Sequence, residues 1–327
     1  MTILVTGGAG FIGSHFVKRL VQSGVDVVVL DKLTYSGNPA NLEGVEHRFV
    51  QGDIADADAV AEAAAGCEAI VNFAAETHVD RSILAAGDFI QTDVFGTYVL
   101  LEYAREKGIR LVHVSTDEVY GDVPPGVRST EDDALRASSP YSAAKAAGDL
   151  LVLAYVRTYG VNASITRGAN TYGPNQYPEK LIPLFVTNAF DGEQLPVYGD
   201  GKQVREWLHT DDHGAGIELV LREGASGEIY NIGGEERENL HVTQRILELT
   251  GSEPSLVRHV DDRLGHDRRY ALDDSKLRGL GWRPQHSFVD GLSQTVEWYR
   301  ANRAWWEPLK SGEYRAYYEH QYARRLA

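Results

Sequence analysis

The chain has 327 residues, 43% of them hydrophobic and 24% charged, which is the balance of an ordinary globular protein. Its 47 acidic residues outnumber the 32 basic ones, and the net charge of −15 argues against a nucleic-acid or anionic-membrane surface, because either would need clustered Lys and Arg. No apolar run approaches the roughly 18 residues that cross a bilayer, the N-terminus lacks a basic leader, and the single cysteine, Cys67, excludes an internal disulfide. We therefore predict a cytoplasmic protein with two domains or one large α/β unit.

The first half of the chain alternates short apolar runs with segments of helical length. The runs are rich in Val and Ile, as expected for parallel strands covered on both faces, and predict strands at 3–6, 27–31, 48–51, 69–73 and 110–115. The segments between them predict helices at 11–23, 56–65 and 85–107. This β-α-β-α order predicts a doubly wound parallel sheet, in which ligands bind beyond the carboxyl ends of the strands.

The local composition of the sequence changes after about residue 168, where loops that contain proline become frequent. We predict a nucleotide-binding domain over residues 1–168 and a smaller C-terminal α/β substrate-binding domain over 169–327. The segment 207–222 is predicted to be a strand and a helix that return to the first domain. Within it, His209 and His213 stand four residues apart, but Asp211 and Asp212 between them favour a solvated turn, so we predict no metal.

A glycine-rich loop follows the first strand and opens the first helix. Gly7 allows a tight turn, Gly10 allows the backbone to approach a pyrophosphate, and Gly13 allows the helix to pack on the strand. Asp31, at the end of the second strand, can accept hydrogen bonds from the ribose hydroxyls and would repel a 2′-phosphate, although Lys32 beside it is a contrary signal. The pattern therefore predicts a Rossmann-type fold that binds NAD rather than NADP.

A tyrosine and a lysine, Tyr141 and Lys145, lie one turn apart on a helix predicted to begin at Pro140. An ammonium beside a phenol favours the phenolate, so we expect Lys145 to lower the pKa of Tyr141. Such a tyrosine can remove a proton from an alcohol while hydride leaves the same carbon. The alternative is an accidental pair on a solvated helix face, which the preceding nucleotide-binding half disfavours.

Two adjacent acids, Asp117 and Glu118, follow the strand 110–115 at the carboxyl edge of the predicted sheet. Neighbouring acids can hold different protonation states when their environments push their pKa values apart. One could then donate a proton to a leaving hydroxyl while the other takes a carbon-bound proton, as elimination of water requires. The alternative is a turn or helix cap, which Ser, Thr and Asp favour.

The glycine loop together with the Tyr-x-x-x-Lys pair resembles the extended short-chain dehydrogenase/reductase superfamily, which acts largely on nucleotide sugars. The triad Thr116-Asp117-Glu118 resembles that of the nucleotide-sugar 4,6-dehydratases. The similarity to bacterial dTDP-glucose 4,6-dehydratases covers nearly the whole chain, with matching segments at 74–82, 177–183, 198–207, 265–270 and 314–322. Where that family usually has Ser-Asn-Asn-Tyr-Gly-Pro, this chain keeps Asn170 but has Thr171 in place of the next asparagine.

The resemblance implies a lyase that converts dTDP-glucose to dTDP-4-keto-6-deoxyglucose and water, by C4 oxidation, C5/C6 elimination and hydride return to C6 on NAD that stays bound. The alternatives are a nucleotide-sugar 4-epimerase or decarboxylase, a 4,6-dehydratase of a UDP, CDP or GDP sugar, and a non-catalytic NAD sensor. Asp117 and Glu118 argue against the epimerase, because epimerisation needs no acid and base for dehydration. Tyr141 and Lys145 argue against the sensor.

The resemblance also assigns residues and a partner. The implied catalytic residues are Thr116, Asp117, Glu118, Tyr141 and Lys145. The implied NAD contacts are Gly7, Gly10, Phe11, Ile12, Gly13, Asp31, Lys32, Thr34, Asp53, Ile54, Ala74, Ala75, Thr92, Ser115, Tyr141 and Lys145. The implied substrate contacts are His78, Thr116, Asp117, Glu118, Asn170, Lys180, Leu181, Tyr198, Arg205, Asn239 and His266, with Arg205 preferred for the diphosphate because a guanidinium binds phosphate oxygens bidentately. A homodimer is implied, through a four-helix bundle built from 85–107 and 140–159.

Overall fold

The strands of this computed structural model, which describes residues 1–326 apart from the side chains of residues 313, 320 and 323–326, form three sheets. The largest is a seven-stranded parallel sheet in the order β10-β6-β5-β4-β1-β2-β3. The strands are β1 Thr2–Thr6, β2 Asp26–Asp31, β3 Arg48–Gln51, β4 Ala69–Asn72, β5 Arg110–Thr116, β6 Ala163–Gly168, β7 Asn170–Tyr172, β8 Leu195–Tyr198, β9 Val204–His209, β10 Ile229–Ile232, β11 Glu235–Glu238 and β12 Val257–Val260. The doubly wound parallel sheet predicted from the apolar runs is confirmed, and each predicted strand ends within one residue of the observed one.

The helices cover both faces of this sheet and build most of the second half. They are α1 Phe11–Gln22, α2 Ala57–Ala64, α3 Val79–Leu84, α4 Gly87–Phe89, α5 Thr97–Lys107, α6 Pro140–Tyr159, α7 Leu181–Asp191, α8 Thr210–Glu223, α9 Asn239–Thr250, α10 Ser275–Gly279, α11 Phe288–Ala301, α12 Arg303–Trp306 and α13 Glu313–Leu326. Within residues 1–326, no helix combines the length and the hydropathy that a membrane span requires.

Two buried apolar clusters sandwich the sheet. Phe16 and Leu20 of α1 pack with Ile217 of α8 against one face, and Val60 of α2 and Leu100 of α5 pack in the cluster on the other. Helix α8 and strand β10 therefore belong to this core although they follow the first half in sequence. The smaller sheets, β11-β9-β7 and β12-β8, lie in the second half with a third cluster around α7, α9 and α11.

The helix predicted over roughly 85–107 is confirmed from Gly87 to Lys107, but it begins two residues later than predicted and contains a π-helical segment. The backbone is extended at Ala85, and a π-helical segment, Ile90–Gly96, separates α4 from α5. The hydroxyl of Thr97 donates to the carbonyl of Asp93 at 2.7 Å, and Gly96 lies so close to Ile54 that a Cβ would clash with that side chain. Such π-helical turns commonly occur at functional sites, and this one places Thr92 and Asp93 beside α6.

Candidate active site

A cavity of about 400 Å³ opens at the carboxyl ends of β1, β2, β4 and β5 and extends under the second half of the chain. Its volume falls in the range of about 300–1,000 Å³ that is usual for small-molecule sites. Every residue predicted above to contact the cofactor or the substrate, and every predicted catalytic residue, lines it. The structure thus brings the whole predicted set together, while the role of each residue stays a prediction.

The glycine loop has the geometry that a pyrophosphate needs. Gly7 adopts a left-handed φ of 66°, and a Cβ there would lie 2.6 Å from the backbone nitrogen of Ala74. Helix α1 begins at Phe11, and its N-cap residue, Gly10, has no side chain to bond the first-turn N–H groups. These groups and the positive end of the helix dipole are therefore available to an anion, which fits the pyrophosphate of NAD.

The acid at the end of β2 lies beside this loop. Asp31 is buried, and its carboxylate accepts hydrogen bonds from the backbone N–H groups of Ala9 at 2.9 Å and Leu33 at 2.8 Å. Lys32 extends to Asp53, with 2.7 Å between Nζ and Oδ2. Because the Lys32 charge is already paired, it offers little to a 2′-phosphate, and the local arrangement fits NAD.

Tyr141 and Lys145 lie where α6 approaches the end of β5. The helix begins at Pro140, as predicted, and Ser139 and Ser142 form a capping box that holds its first turn. The side chains of Tyr141 and Lys145 are both buried and, with Thr116, line the cavity. This places a phenol, an ammonium and a hydroxyl together at the carboxyl edge of the sheet.

The expectation that Lys145 lowers the pKa of Tyr141 is wrong for the chain alone. Burial, followed by the charges of Glu118 and Asp93, raises the pKa of Tyr141 well above its usual value. The Lys145 ammonium donates to the Val114 carbonyl at 2.8 Å and lies 3.6 Å from Asp93 Oδ1, so neighbouring groups offset its charge. Desolvation outweighs the lysine here. Lowering the pKa requires additional positive charge, which an oxidised nicotinamide ring would bring.

Asp117 and Glu118 begin a short 3₁₀ turn, Asp117–Tyr120, that Thr116 caps by accepting the N–H of Glu118 at 3.3 Å. The turn-and-cap alternative is therefore correct for the backbone. Thr116 also donates its hydroxyl to Asp117 Oδ1 at 3.1 Å, and Oδ2 of this buried acid has no hydrogen-bond partner within the described part of the chain. Burial, then the neighbouring charges of Glu118 and Glu206, raise the pKa of Asp117 well above its usual value. Burial and these neighbouring charges therefore favour the protonated form of Asp117.

The second half contributes unpaired polar groups to the same cavity. The side-chain oxygens of Asn170 and Asn239 are buried and accept no hydrogen bond from the described residues. Unsatisfied buried groups are costly, so these two amides favour a polar ligand. Arg205 is more constrained than predicted, because its guanidinium donates to the carbonyls of Val204 and Asp267, each at 2.8 Å.

Four further predicted substrate contacts have hydrogen-bond partners of their own: His78, Lys180, Tyr198 and His266. Lys180 donates to the Thr77 carbonyl at 2.6 Å, and the hydroxyl of Tyr198 donates to Asp80 at 2.9 Å. Burial lowers the pKa of His266 to about 4, although Asp262 pairs with its ring. His78 is buried, and burial likewise lowers its pKa.

The prediction of a solvated turn at His209 and His213 is wrong. Both rings are buried, because the chain passes from β9 directly into α8, which packs on the central sheet. His209, Asp211 and His286 come within 4.8 Å of one another, but the two imidazoles stack with their centroids 4.1 Å apart. Stacked rings direct their in-plane lone pairs side by side rather than toward one point, which disfavours joint ligation of a metal at the roughly 2.0–2.1 Å typical of zinc–nitrogen bonds.

Residues 3–233 match the sequence model of the NAD dependent epimerase/dehydratase family. The chain belongs to this family. It is 56% identical over 324 residues to a dTDP-glucose 4,6-dehydratase of Streptomyces niveus, covering 95% of this chain and 96% of the relative. It is 51% identical over 321 residues to one from Streptomyces antibioticus, covering 95% and 96%. The crystal structure of the Streptomyces venezuelae dTDP-glucose 4,6-dehydratase with NAD bound superposes with a TM-score of 0.93 at 57% identity, covering 95% of this chain and all (100%) of that one.

Several cavity residues of this epimerase/dehydratase chain were not predicted from its sequence. Arg263 lines the cavity with a buried Nε that lacks a partner among the described residues, so it is a second candidate for the diphosphate. His213 also lines the cavity, and its buried Nε2 has no partner among the described residues, while its Nδ1 bonds Thr171 at 2.8 Å, so the unusual threonine holds this ring. Glu179 stands next to the predicted Lys180 and is buried. Position within the matched segment 177–183 was the only sequence signal for Glu179.

Proposed function

We propose that the chain is an NAD-dependent hydro-lyase that converts dTDP-glucose to dTDP-4-keto-6-deoxyglucose and water. The observation that carries the proposal is Asp117, a buried acid whose pKa is raised by burial, next to Glu118 in the cavity that Tyr141 and Thr116 also line. Oxidation of an alcohol needs only Tyr141 and Thr116 of these residues. The additional acid and base suit elimination of a hydroxyl group, which a 4-epimerase does not perform.

The residues would divide the proton transfers between them. Tyr141 takes the proton of the C4 hydroxyl, and Thr116 hydrogen-bonds the same oxygen. Once C4 is a ketone, the C5 proton is acidic, so Glu118 removes it while Asp117 donates a proton to the departing C6 hydroxyl. Glu118 returns its proton to C5 as hydride reaches C6, and the proton that Tyr141 took balances the one that Asp117 gave to the departing hydroxyl, so the sum is loss of one water.

Bound NAD would supply the redox chemistry by accepting hydride from C4 and returning it to C6. The glycine loop and the N-terminus of α1 would hold its pyrophosphate, and Asp31 its adenosine ribose. Lys145 would orient the nicotinamide ribose. No external oxidant is consumed, because the hydride leaves and re-enters within one turnover.

The nucleotide is inferred from the relatives rather than from a contact. The two Streptomyces enzymes named above carry dTDP-glucose in their names, at 56% and 51% identity over nearly the full length of both chains. Asn170, Asn239 and the cations Arg205 and Arg263 would meet the diphosphate, since amides and guanidinium groups hydrogen-bond phosphate oxygens.

We also propose that the protein is a cytoplasmic homodimer, paired through a four-helix bundle. Large apolar side chains are exposed on the two relevant segments: Phe95 is 45% exposed, Tyr98 40%, and Leu150 and Tyr159 58% and 57%. Apolar patches of this kind favour association. Light scattering should give twice the mass of the chain for the wild type and the single mass for Leu150→Glu; a monomeric wild type would contradict the dimer.

The domain division stays part of the proposal. Residues 1–168 would form the NAD-binding domain and 169–327 mainly the nucleotide-sugar domain, with about 207–222 returning to the first. The packing of α8 on the seven-stranded sheet supports that return, and β10 continues it by pairing with β6.

The test is turnover without added oxidant. The purified protein is incubated separately with dTDP-glucose and UDP-glucose, and mass spectrometry follows the loss of one water. Product from dTDP-glucose alone is the expected result. Product from UDP-glucose instead would retain the reaction and change the substrate, whereas epimerised sugar without water loss would replace the dehydratase by an epimerase.

A further inference from the structure

A cluster of charged and aromatic side chains lies beside the cavity and connects distant parts of the chain. Glu179 accepts hydrogen bonds from the Tyr35 hydroxyl at 2.9 Å and from Arg81 Nε at 3.3 Å. The Arg81 guanidinium lies between two rings, 3.9 Å from the centroid of Tyr35 and 4.3 Å from that of Tyr317. We call Tyr35, Arg81, Glu179 and Tyr317 the clasp.

The members of the clasp depend on one another. The Glu179 side chain is only 2% exposed, and a buried carboxylate is costly unless charged or hydrogen-bonding partners meet it. Burial raises the pKa of Glu179, and the charges of Lys180 and Arg81 oppose that rise. Losing the Tyr35 hydroxyl would remove one of the two side-chain donors to this acid, so the contacts should form and break together.

The clasp holds a loop that borders the proposed cofactor site. Tyr35 lies between Thr34 and Ser36, and these two residues line the cavity together with Asp31 and Lys32 at the end of β2. Glu179 belongs to the second half of the chain, two residues before α7, and lines the same cavity. The bond between Tyr35 and Glu179 therefore spans from the ribose-binding loop to the second half of the chain.

We propose that the clasp retains NAD in the enzyme by fastening the loop 32–37 to the segment that carries Glu179. The cofactor then leaves only when the clasp opens. This inference rests on the proposed function, because it takes the cavity to hold NAD. A reaction that returns its hydride to the substrate gains nothing from cofactor exchange, so retention suits it. Tyr35, Arg81 and Glu179 are positioning residues, because none of them is assigned a contact with the reacting atoms.

The test measures the exchange of bound NAD with isotopically labelled NAD, without sugar, by mass spectrometry of the protein-bound fraction. Tyr35→Phe removes only the hydroxyl, and Glu179→Gln removes the charge. The matched control is Tyr230→Phe, whose hydroxyl accepts the N–H of Ala225 at 2.9 Å and lies outside the cavity lining. Loss of a hydrogen bond to a charged group should accelerate exchange by roughly tenfold or more in both clasp variants, while the control exchanges like the wild type.

The outcomes separate the clasp from the proposed function. Exchange at the wild-type rate in both Tyr35→Phe and Glu179→Gln would overturn the clasp, even if the wild type dehydrates its sugar. A wild type that binds no NAD would overturn the proposed function and the clasp with it. If neither variant folds, Arg81→Lys is the test, because it keeps the charge and loses the planar stacking between the rings; faster exchange supports the clasp, and an unchanged rate overturns it.

Discussion

Replacement of Asp117 by asparagine should stop dehydration and leave the fold intact. Asp117 is 3% exposed, and its pKa is raised well above the usual value by burial and by nearby Glu118 and Glu206. A protonated carboxyl and an amide have nearly the same shape, and both are neutral. Asp117→Asn therefore keeps an acceptor for the Thr116 hydroxyl but has no proton acidic enough to give to a leaving hydroxyl.

Turnover and the free energy of unfolding should change by very different amounts in Asp117→Asn. Loss of a general acid costs about 10²–10⁴-fold in turnover. Because the raised pKa of Asp117 favours a neutral carboxyl, which a neutral amide replaces, and because the Thr116 hydrogen bond persists, the free energy of unfolding should change by no more than about 1 kcal/mol. If Asp117 were instead ionised in the folded protein, the variant would remove repulsion from Glu118 and Glu206 and become clearly more stable.

The assay has two parts. Mass spectrometry follows water loss from dTDP-glucose, and urea unfolding at neutral pH compares the variant with the wild type. We expect a large loss of product with an almost unchanged unfolding curve. Turnover close to that of the wild type would refute Asp117 as the acid, and a marked gain in stability would refute its protonated state.

Three further predictions test other parts of the account. Tyr141→Phe should lower kcat by about 10²–10⁴-fold through loss of the base, with a thermal midpoint near that of the wild type because the ring contact with Phe89 is kept; normal turnover would contradict the role. Asp149→Asn should cost about 3–5 kcal/mol in urea unfolding, because Arg167, 2.8 Å away, would be buried without its counter-charge; an unchanged midpoint would argue against an ionised pair. Burial lowers the pKa of His213 from 6.5 to about 4. The neutral ring therefore costs nothing above the unfolded pKa, and the free energy of unfolding falls by up to roughly 3 kcal/mol as the pH drops from that value through the folded pKa. His213→Gln should flatten this loss of stability, and a pH slope equal to that of the wild type would contradict the burial of a neutral histidine.

The central sheet could be predicted because its signals are local. Buried parallel strands are continuous apolar runs, and the loop around Gly7 and Gly10 carries its turn and helix start within a few residues. The start of α6 at Pro140 is equally local. Features of this kind depend on backbone preference and side-chain period, which a single sequence displays directly.

The features that were mispredicted depend on groups distant in sequence. The direction of the Tyr141 pKa depends on burial and on Glu118 and Asp93, which α6 meets only in the folded chain. His209 and His213 are buried because α8 packs on the sheet, and the residues between them suggested the opposite. Arg263 enters the cavity from a loop without any motif, so no local pattern distinguished it from a surface arginine.

The central claim is that one cofactor removes hydride from C4 and returns it to C6 of the same sugar. The most direct measurement uses dTDP-glucose deuterated at C4, mixed with unlabelled substrate, and locates deuterium in the product by NMR and mass spectrometry. We predict that deuterium appears at C6 of the molecules that began with it, with no crossover to unlabelled ones. Deuterium found at C4 of an epimerised sugar, or lost to solvent, would contradict the account.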